Sequence, residues 1–195
     1  MGTIKMNGSN EKVSIIQNYV KLLKEALQAL SEEALLEIAD ILRRAHQEGK
    51  QVFLLGNGGS AANATHIAED LQKGVKEHTG RRFKVLSLAD STPLITAWAN
   101  DTSYEQIFVE QIESLVEPGD VVIAISGSGN SPNVLRAVEK ANEMGAVTIG
   151  LTGFDGGKLA KTAQKSVVVA SDNMQRVEDV HLVIGHILYT YLVNI

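Results

Sequence analysis

The chain has 195 residues, of which 44% are hydrophobic and 21% charged, and its formal net charge is −5. This length allows one well-buried domain with an accessory element, and the negative charge argues against a general nucleic-acid or membrane surface. The sequence contains no cysteine, which excludes disulfides, thiolate metal ligands and a thiol nucleophile. Because we find neither a signal-peptide pattern nor an apolar run of about 18 residues, we expect a cytoplasmic protein.

Two helices are predicted before the first strand. Apolar residues recur with a helical period from Glu11 to Leu30, and Ser31 is placed as the N-cap of a second helix over 32–48 that ends at Gly49. These helices do not alternate with strands, so their best use is packing against a partner chain or across the main sheet. We interpret residues 1–49 as an oligomerisation segment.

After Gly49 the pattern changes to alternating strands and helices, which we assign to one domain over residues 50–195. The predicted strands are 51–56, 83–88, 120–126, 146–152 and 166–170. The predicted helices are 59–77, 92–99 with 103–116, 131–144, 156–163 and 174–193. Short apolar strands alternating with helices are typical of a parallel sheet covered on both faces, so we predict an α/β fold.

The first candidate binding loop runs from Gly56 to Ser60, between the 51–56 strand and a predicted helix. Glycines allow a close backbone approach, and the first N–H groups of a helix favour an anion. A rival interpretation is the relaxed dinucleotide fingerprint Gly56-x-Gly58-x-x-Ala61, with Asp90 after the next strand. That pattern would indicate a nicotinamide or flavin cofactor, although Asp90 lies somewhat far along the chain.

A second loop of glycine and serine, from Ser126 to Ser131, follows the 120–126 strand. Ser131 is well placed as an N-cap and Pro132 as the first helical residue. Several hydroxyl and free N–H groups suit the oxygens of a phosphate, although a strand-to-helix turn could use these residues for geometry alone. Because two such loops occur in one sheet, we predict a phosphate monoester site formed by Ser60, Ser126, Ser128 and Ser131.

Candidate proton-transfer or metal-binding residues occur on two predicted helices. His66 and Asp70 are four residues apart, which suits one metal ion, an acid–base pair or a simple salt link at a helix surface. The last helix carries Glu178 and His186, about 12 Å apart along its axis. If both serve one site, they come from different subunits. A histidine in that apolar helix is equally well explained as a core residue.

Four segments resemble the sugar isomerase (SIS) domain family, and most closely its phosphoheptose isomerase branch: GNGGSAANATH, AISGSGNSPNV, GLTGFDGGKLA and EDVHLVIGHIL. The resemblance implies a flavodoxin-like, five-stranded parallel sheet and a homotetramer with active sites between subunits. The implied reaction converts sedoheptulose 7-phosphate to D-glycero-D-manno-heptose 7-phosphate through an enediol, an early step toward heptose-containing surface glycans. The composition and net charge predict no nucleic-acid or membrane partner.

The same resemblance implies a set of site residues. The catalytic pair would be Asp70 and His186, and Zn²⁺ would be bound by His66, Asp70, Glu178 and His186. The residues implied to bind substrate or phosphate are Asn57, Gly58, Ser60, Asn100, Asp101, Ser126, Ser128, Ser131 and Gln175.

The sequence departs from the family pattern at four of its positions. It has Asp70 where glutamate is expected, Glu178 for glutamine, Gln175 for aspartate and Gly127 for threonine. The shorter Asp70 moves its carboxylate by about 1 Å unless the helix shifts, and such a displacement is costly. Glu178 adds a negative charge that strengthens a metal site but repels an enediolate. We therefore expect greater metal dependence or a different phosphosugar.

Two non-enzymatic functions are alternatives within the same family. Some relatives that share the SAANA segment are tetrameric partners of the bacterial replication initiator and lack a full acid–base set. Here the set His66, Asp70, Glu178 and His186 is complete, which favours catalysis. The other alternative is a phosphosugar-sensing module, but such modules are usually fused to a DNA-binding segment, which is not evident here.

Overall fold

The structure, a computed structural model, describes the backbone of residues 8–194 and the side chains of residues 13–194. Residues 1–7 of the predicted oligomerisation segment lie outside the described part. The helices are α1 (Gly8–Gln28), α2 (Glu32–Glu48), α3 (Gly59–Glu69), α4 (Val75–Thr79), α5 (Thr92–Asp101), α6 (Val109–Leu115), α7 (Pro132–Glu143), α8 (Leu159–Thr162) and α9 (Met174–Val193). The strands are β1 (Gln51–Gly56), β2 (Lys84–Ser87), β3 (Val121–Ile125), β4 (Val147–Thr152) and β5 (Lys165–Val168).

The strands form one parallel sheet in the order β2-β1-β3-β4-β5. This confirms the predicted α/β fold with a flavodoxin-like order. The chain leaves β1 toward one edge of the sheet and returns at β3 toward the other, so β1 and β3 are neighbours on either side of the switch point. Their carboxyl ends carry the two glycine-containing loops, and a ligand of such a sheet binds at this position.

Alternate residues of each central strand face opposite layers of helices, as the pleat requires. On β1, Leu54 contributes to a core formed with α2, α3 and α9. Phe53 and Leu55 contribute to a second core formed with α6, α7 and α8. The central strands are thus buried on both faces, which explains why they are continuous apolar runs.

The predicted helix pair at the N-terminus is present, and the predicted caps of α2 are confirmed. The Ser31 hydroxyl accepts a hydrogen bond from the Ala34 N–H, and Gly49 adopts a left-handed φ of 71° after the last turn. Helix α2 packs across the sheet, whereas α1 is joined to α9 by a hydrogen bond of 2.5 Å from the Tyr19 hydroxyl to Asp179. Within the described residues, no helix is long and apolar enough to cross a membrane.

Three predicted helices differ from the observed ones. The predicted helix 59–77 is interrupted by a π-helical turn, Asp70–Gly74, before α4 continues to Thr79. The segment 103–116 contains a 3₁₀ turn, Tyr104–Gln106, ahead of α6. The predicted helix 156–163 is shortened to α8, because Gly156 and Gly157 have positive φ angles that an α-helix does not accept.

Candidate active site

The loops after β1 and β3 together enclose a cavity of about 260 Å³. We call it the serine cavity, and its lining residues are Asn57, Gly58, Gly59, Ser60, Ile125, Ser126, Gly127, Ser128, Ser131, Met174 and Glu178. The structure therefore brings together six of the predicted substrate-binding residues. Helices α3 and α7 both begin at this cavity, and their N-terminal dipoles favour an anion there.

Ser131 occupies the N-cap of α7 and Pro132 its first turn, as predicted. Its side chain does not cap the helix. Instead, its hydroxyl lies 3.1 Å from that of Ser126, and the two oxygens share a hydrogen bond. Hydroxyls can rotate to donate to a ligand, so this pair and Ser128 offer adaptable donors for an oxyanion.

A pair of asparagines connects the two loops. The side-chain amides of Asn57 and Asn133 exchange two hydrogen bonds of 2.8 Å, and the Tyr104 hydroxyl donates to Oδ1 of Asn57 over 3.0 Å. The sequence analysis missed Asn133, which is buried although it lies in the first turn of a helix. Its partner is distant in sequence, so no local pattern reveals the contact.

Gly127 is explained by its neighbour Met174. A Cβ atom at Gly127 would lie 2.3 Å from the Met174 sulfur, which is far inside van der Waals contact. A threonine here, as in the family pattern, would therefore require Met174 to move. The exchange replaces a hydroxyl at the serine cavity with the thioether of Met174.

Glu178 lies at the serine cavity, directly over the start of α3. A Cβ atom at Gly59 would be 2.4 Å from a carboxylate oxygen of Glu178, so a larger residue at position 59 would require this side chain to move. The Asn63 amide donates to the backbone carbonyl of Glu178 over 2.9 Å. A carboxylate at a helix N-terminus is stabilised by the helix dipole.

A second group, which we call the histidine–aspartate cluster, comprises His66, Asp70 and His186. The Asp70 carboxylate lies 3.7 Å from Nε2 of His66 and 3.5 Å from Nε2 of His186. The two Nε2 atoms are 3.5 Å apart, with the imidazole rings arranged edge to face. Helix α3 and the π-helical turn therefore supply two members, and α9 supplies the third.

The cluster fits one metal ion. A circle through its three donor atoms has a radius of about 2.1 Å, which matches the usual Zn–N and Zn–O distances of about 2.0–2.2 Å. Two imidazoles and a carboxylate are donors that Zn²⁺ accepts. Among the described residues, the single chain brings these three predicted ligands together, while Glu178 lies at the serine cavity.

Comparison with known proteins identifies the family. Residues 17–153 match the SIS domain family, and the phosphoheptose isomerase of Aquifex aeolicus is 41% identical over 178 residues, covering 91% of this chain and 93% of that protein. The chain belongs to the SIS domain family, in its phosphoheptose isomerase branch.

Solved structures of SIS-domain phosphoheptose isomerases have the same fold. The protein from Neisseria gonorrhoeae gives a TM-score of 0.87 at 28% identity, covering 95% of this chain and 99% of that one. The protein from Francisella tularensis gives a TM-score of 0.88 at 27% identity, covering 97% and 100%. This membership decides against the dinucleotide-binding alternative for the first loop, and Asp90 accepts a hydrogen bond from Thr65 on α3.

Three other predicted residues of this SIS domain line neither the serine cavity nor the histidine–aspartate cluster. Asn100 donates a hydrogen bond of 2.8 Å to Asp101 at the exposed end of α5. Gln175 is exposed in the first turn of α9. Their roles in substrate binding stay predictions.

His181 is a core residue of the SIS domain. One ring nitrogen, Nε2, lies 3.1 Å from the Thr152 carbonyl oxygen, while Nδ1 is buried without a partner among the described residues. Burial lowers the pKa of His181 from 6.5 to about 4. The ring is therefore neutral near pH 7 and donates from Nε2. The alternative of a core histidine in this helix is right for His181, whereas His186 is exposed.

Proposed function

We propose that this SIS-domain protein is a phosphoheptose isomerase that interconverts sedoheptulose 7-phosphate and D-glycero-D-manno-heptose 7-phosphate. The observation that carries this proposal is the 41% identity to the Aquifex phosphoheptose isomerase across more than nine tenths of both chains. The serine cavity supports it, because this cavity combines hydroxyl donors and two helix N-termini that suit a phosphate.

In this proposal the phosphate end of the sugar is held far from the carbons that react. Ser60, Ser126, Ser128 and Ser131 donate to the phosphate, with the loop around Asn57 and Gly58 closing one side. Binding energy from this remote group then fixes the first two carbons against the catalytic side chains. The asparagine pair joins the two loops through its two hydrogen bonds.

Asp70 and His186 carry out the proton transfers. Asp70 removes a proton from C1 of the ketose and returns it to C2, while His186 moves a proton between the oxygens on the same two carbons. The intermediate is an enediol, and no atom is gained or lost overall. The distance of 3.5 Å between the two side chains supports their joint action on neighbouring atoms.

We assign a Zn²⁺ site to the histidine–aspartate cluster, with Glu178 of a second copy of the chain completing it. When bound, Zn²⁺ supplies a Lewis acid that polarises the carbonyl of the substrate. His66 has no proton-transfer role in this assignment and serves to hold the metal. The position of Glu178 supports the assignment to a second copy, because within one chain it lines the serine cavity and is not among the three residues of the cluster.

The assembly proposed here is a cytoplasmic homotetramer with active sites between subunits. Apolar side chains of α1 support it, since Val13, Ile15, Ile16 and Val20 are each more than half exposed. Helix α5 has no buried residue although it contains Leu94 and Trp98. Assembly at these helices would also bring the exposed Asn100, Asp101 and Gln175 toward a site on another subunit.

The proposal is tested by the turnover of sedoheptulose 7-phosphate by metal-stripped protein with and without added Zn²⁺. We expect Zn²⁺-dependent formation of the aldose, detected by NMR. The matched variant Asp70→Asn should lose at least about 100-fold in turnover, because it removes the proton acceptor. No turnover in either metal state, with the assembly intact, would refute the isomerase, and a fully active Asp70→Asn protein would refute the role of Asp70.

A further inference from the structure

We infer that Gly185 is a positioning residue that sets the distance between α3 and α9, and that this distance is matched to the short side chain of Asp70. The inference rests on the proposed function of the histidine–aspartate cluster as a metal and proton-transfer site. It adds a residue that touches neither substrate nor metal and acts through the spacing of two helices.

The two helices are in close contact beside the cluster. A Cβ atom at Gly185 would lie 2.4 Å from Cγ1 and 2.7 Å from Cδ1 of Ile67. Ile67 is buried and β-branched, so it has little freedom to turn away. Gly185 precedes His186 and Ile67 follows His66, which means that this contact directly adjoins two members of the cluster.

A second close contact lies further along the same pair of segments. Gly74, in the π-helical turn that begins at Asp70, lies against the ring of Tyr189, and a Cβ atom at Gly74 would be 2.5 Å from Cε2 of that ring. Glycines therefore allow close packing on both sides of the cluster. The distance between α9 and the segment formed by α3 and the π-helical turn is therefore set by two contacts, and not by one side chain alone.

The movement that alanine at position 185 would require can be compared with the distances between the donor atoms of the cluster. Carbon atoms in ordinary contact are about 3.5–4.0 Å apart, so alanine at position 185 would need more than about 1 Å of movement. If α9 moved away by that distance, the gap of 3.5 Å between His186 and Asp70 would exceed what one small ion can bridge. Gly185 is therefore needed for a cluster that contains aspartate.

A glutamate at position 70 would change the requirement. Its additional carbon–carbon bond adds about 1.5 Å of reach, which is close to the movement that alanine at position 185 would impose. A glutamate side chain is too long for the native distance between α3 and α9, and it fits a larger distance between them. Positions 70 and 185 should therefore show strong coupling: each substitution harms the site alone, and the two together restore it in part.

The test is a double-mutant cycle with Gly185→Ala, Asp70→Glu and the combined variant. Zn²⁺ affinity is measured by competition titration of the metal-free proteins, and kcat/KM is measured separately. We expect each single substitution to lower both quantities by about 10–100-fold, because a displacement of about 1 Å has costs of this size. The combined variant should recover to within about tenfold of the wild type.

The control is Gly185→Ala combined with Ile67→Ala, which removes the two side-chain atoms that alanine at position 185 would meet. We expect this variant to regain most of the Zn²⁺ affinity, even if Gly185→Ala alone folds poorly. Independent, multiplying effects in the cycle, or wild-type Zn²⁺ affinity in Gly185→Ala, would overturn the inference. A wild-type protein without Zn²⁺ affinity would instead refute the proposed metal site, and kcat/KM would still report the coupling.

Discussion

At the scale of single residues, Glu178 and His186 illustrate how far helix geometry constrains a site. They lie about two turns apart on α9, and the structure directs them to different groups, Glu178 to the serine cavity and His186 to the histidine–aspartate cluster. A single ion cannot be bound by both side chains of one chain without a long reach. The separation predicted from the sequence spacing is therefore maintained in the fold, and a shared site requires a second subunit.

The substitution Glu178→Gln tests that requirement. Because it removes a negative charge while keeping the size of the side chain, we expect the affinity of the assembled protein for Zn²⁺ to fall by about tenfold or more. The measurement is a competition titration with metal-free protein. The oligomeric state should be recorded alongside, since the proposed ligand comes from another copy.

The opposite result has a distinct meaning. Unchanged Zn²⁺ affinity with a lower KM would place Glu178 at the sugar alone, where the loss of its charge relieves repulsion of an anionic substrate. That outcome would refute Glu178 as a metal ligand. The exposed Asp172 offers a control, because Asp172→Asn removes a nearby charge outside both groups.

At the scale of elements, the sequence best predicts the bounds of helices and strands whose residue pattern is a local signal. The bounds of β1 and α9 are predicted to the residue, because an apolar run and a helical period are local signals. The π-helical turn within the predicted helix 59–77 has no such signal. It coincides with the packing of Gly74 against Tyr189, a residue more than a hundred positions away.

Contacts inside the site follow the same rule. The serines of the cavity were predictable, because glycine and serine after a strand indicate an anion loop. The pairing of Asn57 with Asn133 and the packing of Met174 on Gly127 depend on how remote segments meet. Such pairs decide the shape of the site, and a single sequence does not reveal them.

His181, on α9, provides a pH-dependent contact between this helix and β4. Its neutral ring donates to the Thr152 carbonyl oxygen, and its pKa is lowered from 6.5 to about 4 by burial. Between these values the unfolded chain binds a proton that the folded chain excludes. The stability due to the neutral ring is therefore complete above pH 6.5 and is lost as the pH falls toward about 4.

The variant His181→Gln isolates this contribution, since its amide can still donate toward Thr152 but does not titrate. We expect the free energy of unfolding of the wild type to fall by about 2 kcal/mol more than that of the variant between about pH 7 and about pH 4.5. Urea unfolding at each pH measures the difference. Parallel pH profiles for the two proteins would contradict the neutral, buried state of His181.

At the scale of the whole molecule, the proposed assembly would connect the serine cavity and the histidine–aspartate cluster of different copies. A single chain exposes apolar side chains of α1 and Leu94 of α5, while Asn100, Asp101 and Gln175 line neither group. A large exposed apolar patch often marks a protein–protein interaction site. Turnover should therefore depend on the oligomeric state, even for changes far from the serine cavity.

The substitution Ile16→Asp on α1 tests this dependence. Ile16 is 65% exposed in the single chain, so the substitution spares the fold but places an unpaired charge in the proposed interface. We expect association to weaken by at least about 100-fold and turnover to fall with it, because burying an isolated carboxylate is costly. Light scattering coupled to size-exclusion chromatography measures the oligomeric state.

The control Asn18→Asp adds the same charge at an exposed polar position of α1 and should remain assembled and active. An Ile16→Asp protein that keeps the oligomeric state and turnover of the wild type would show that α1 has no part in assembly, and a fully active monomer would show that one chain contains the complete site.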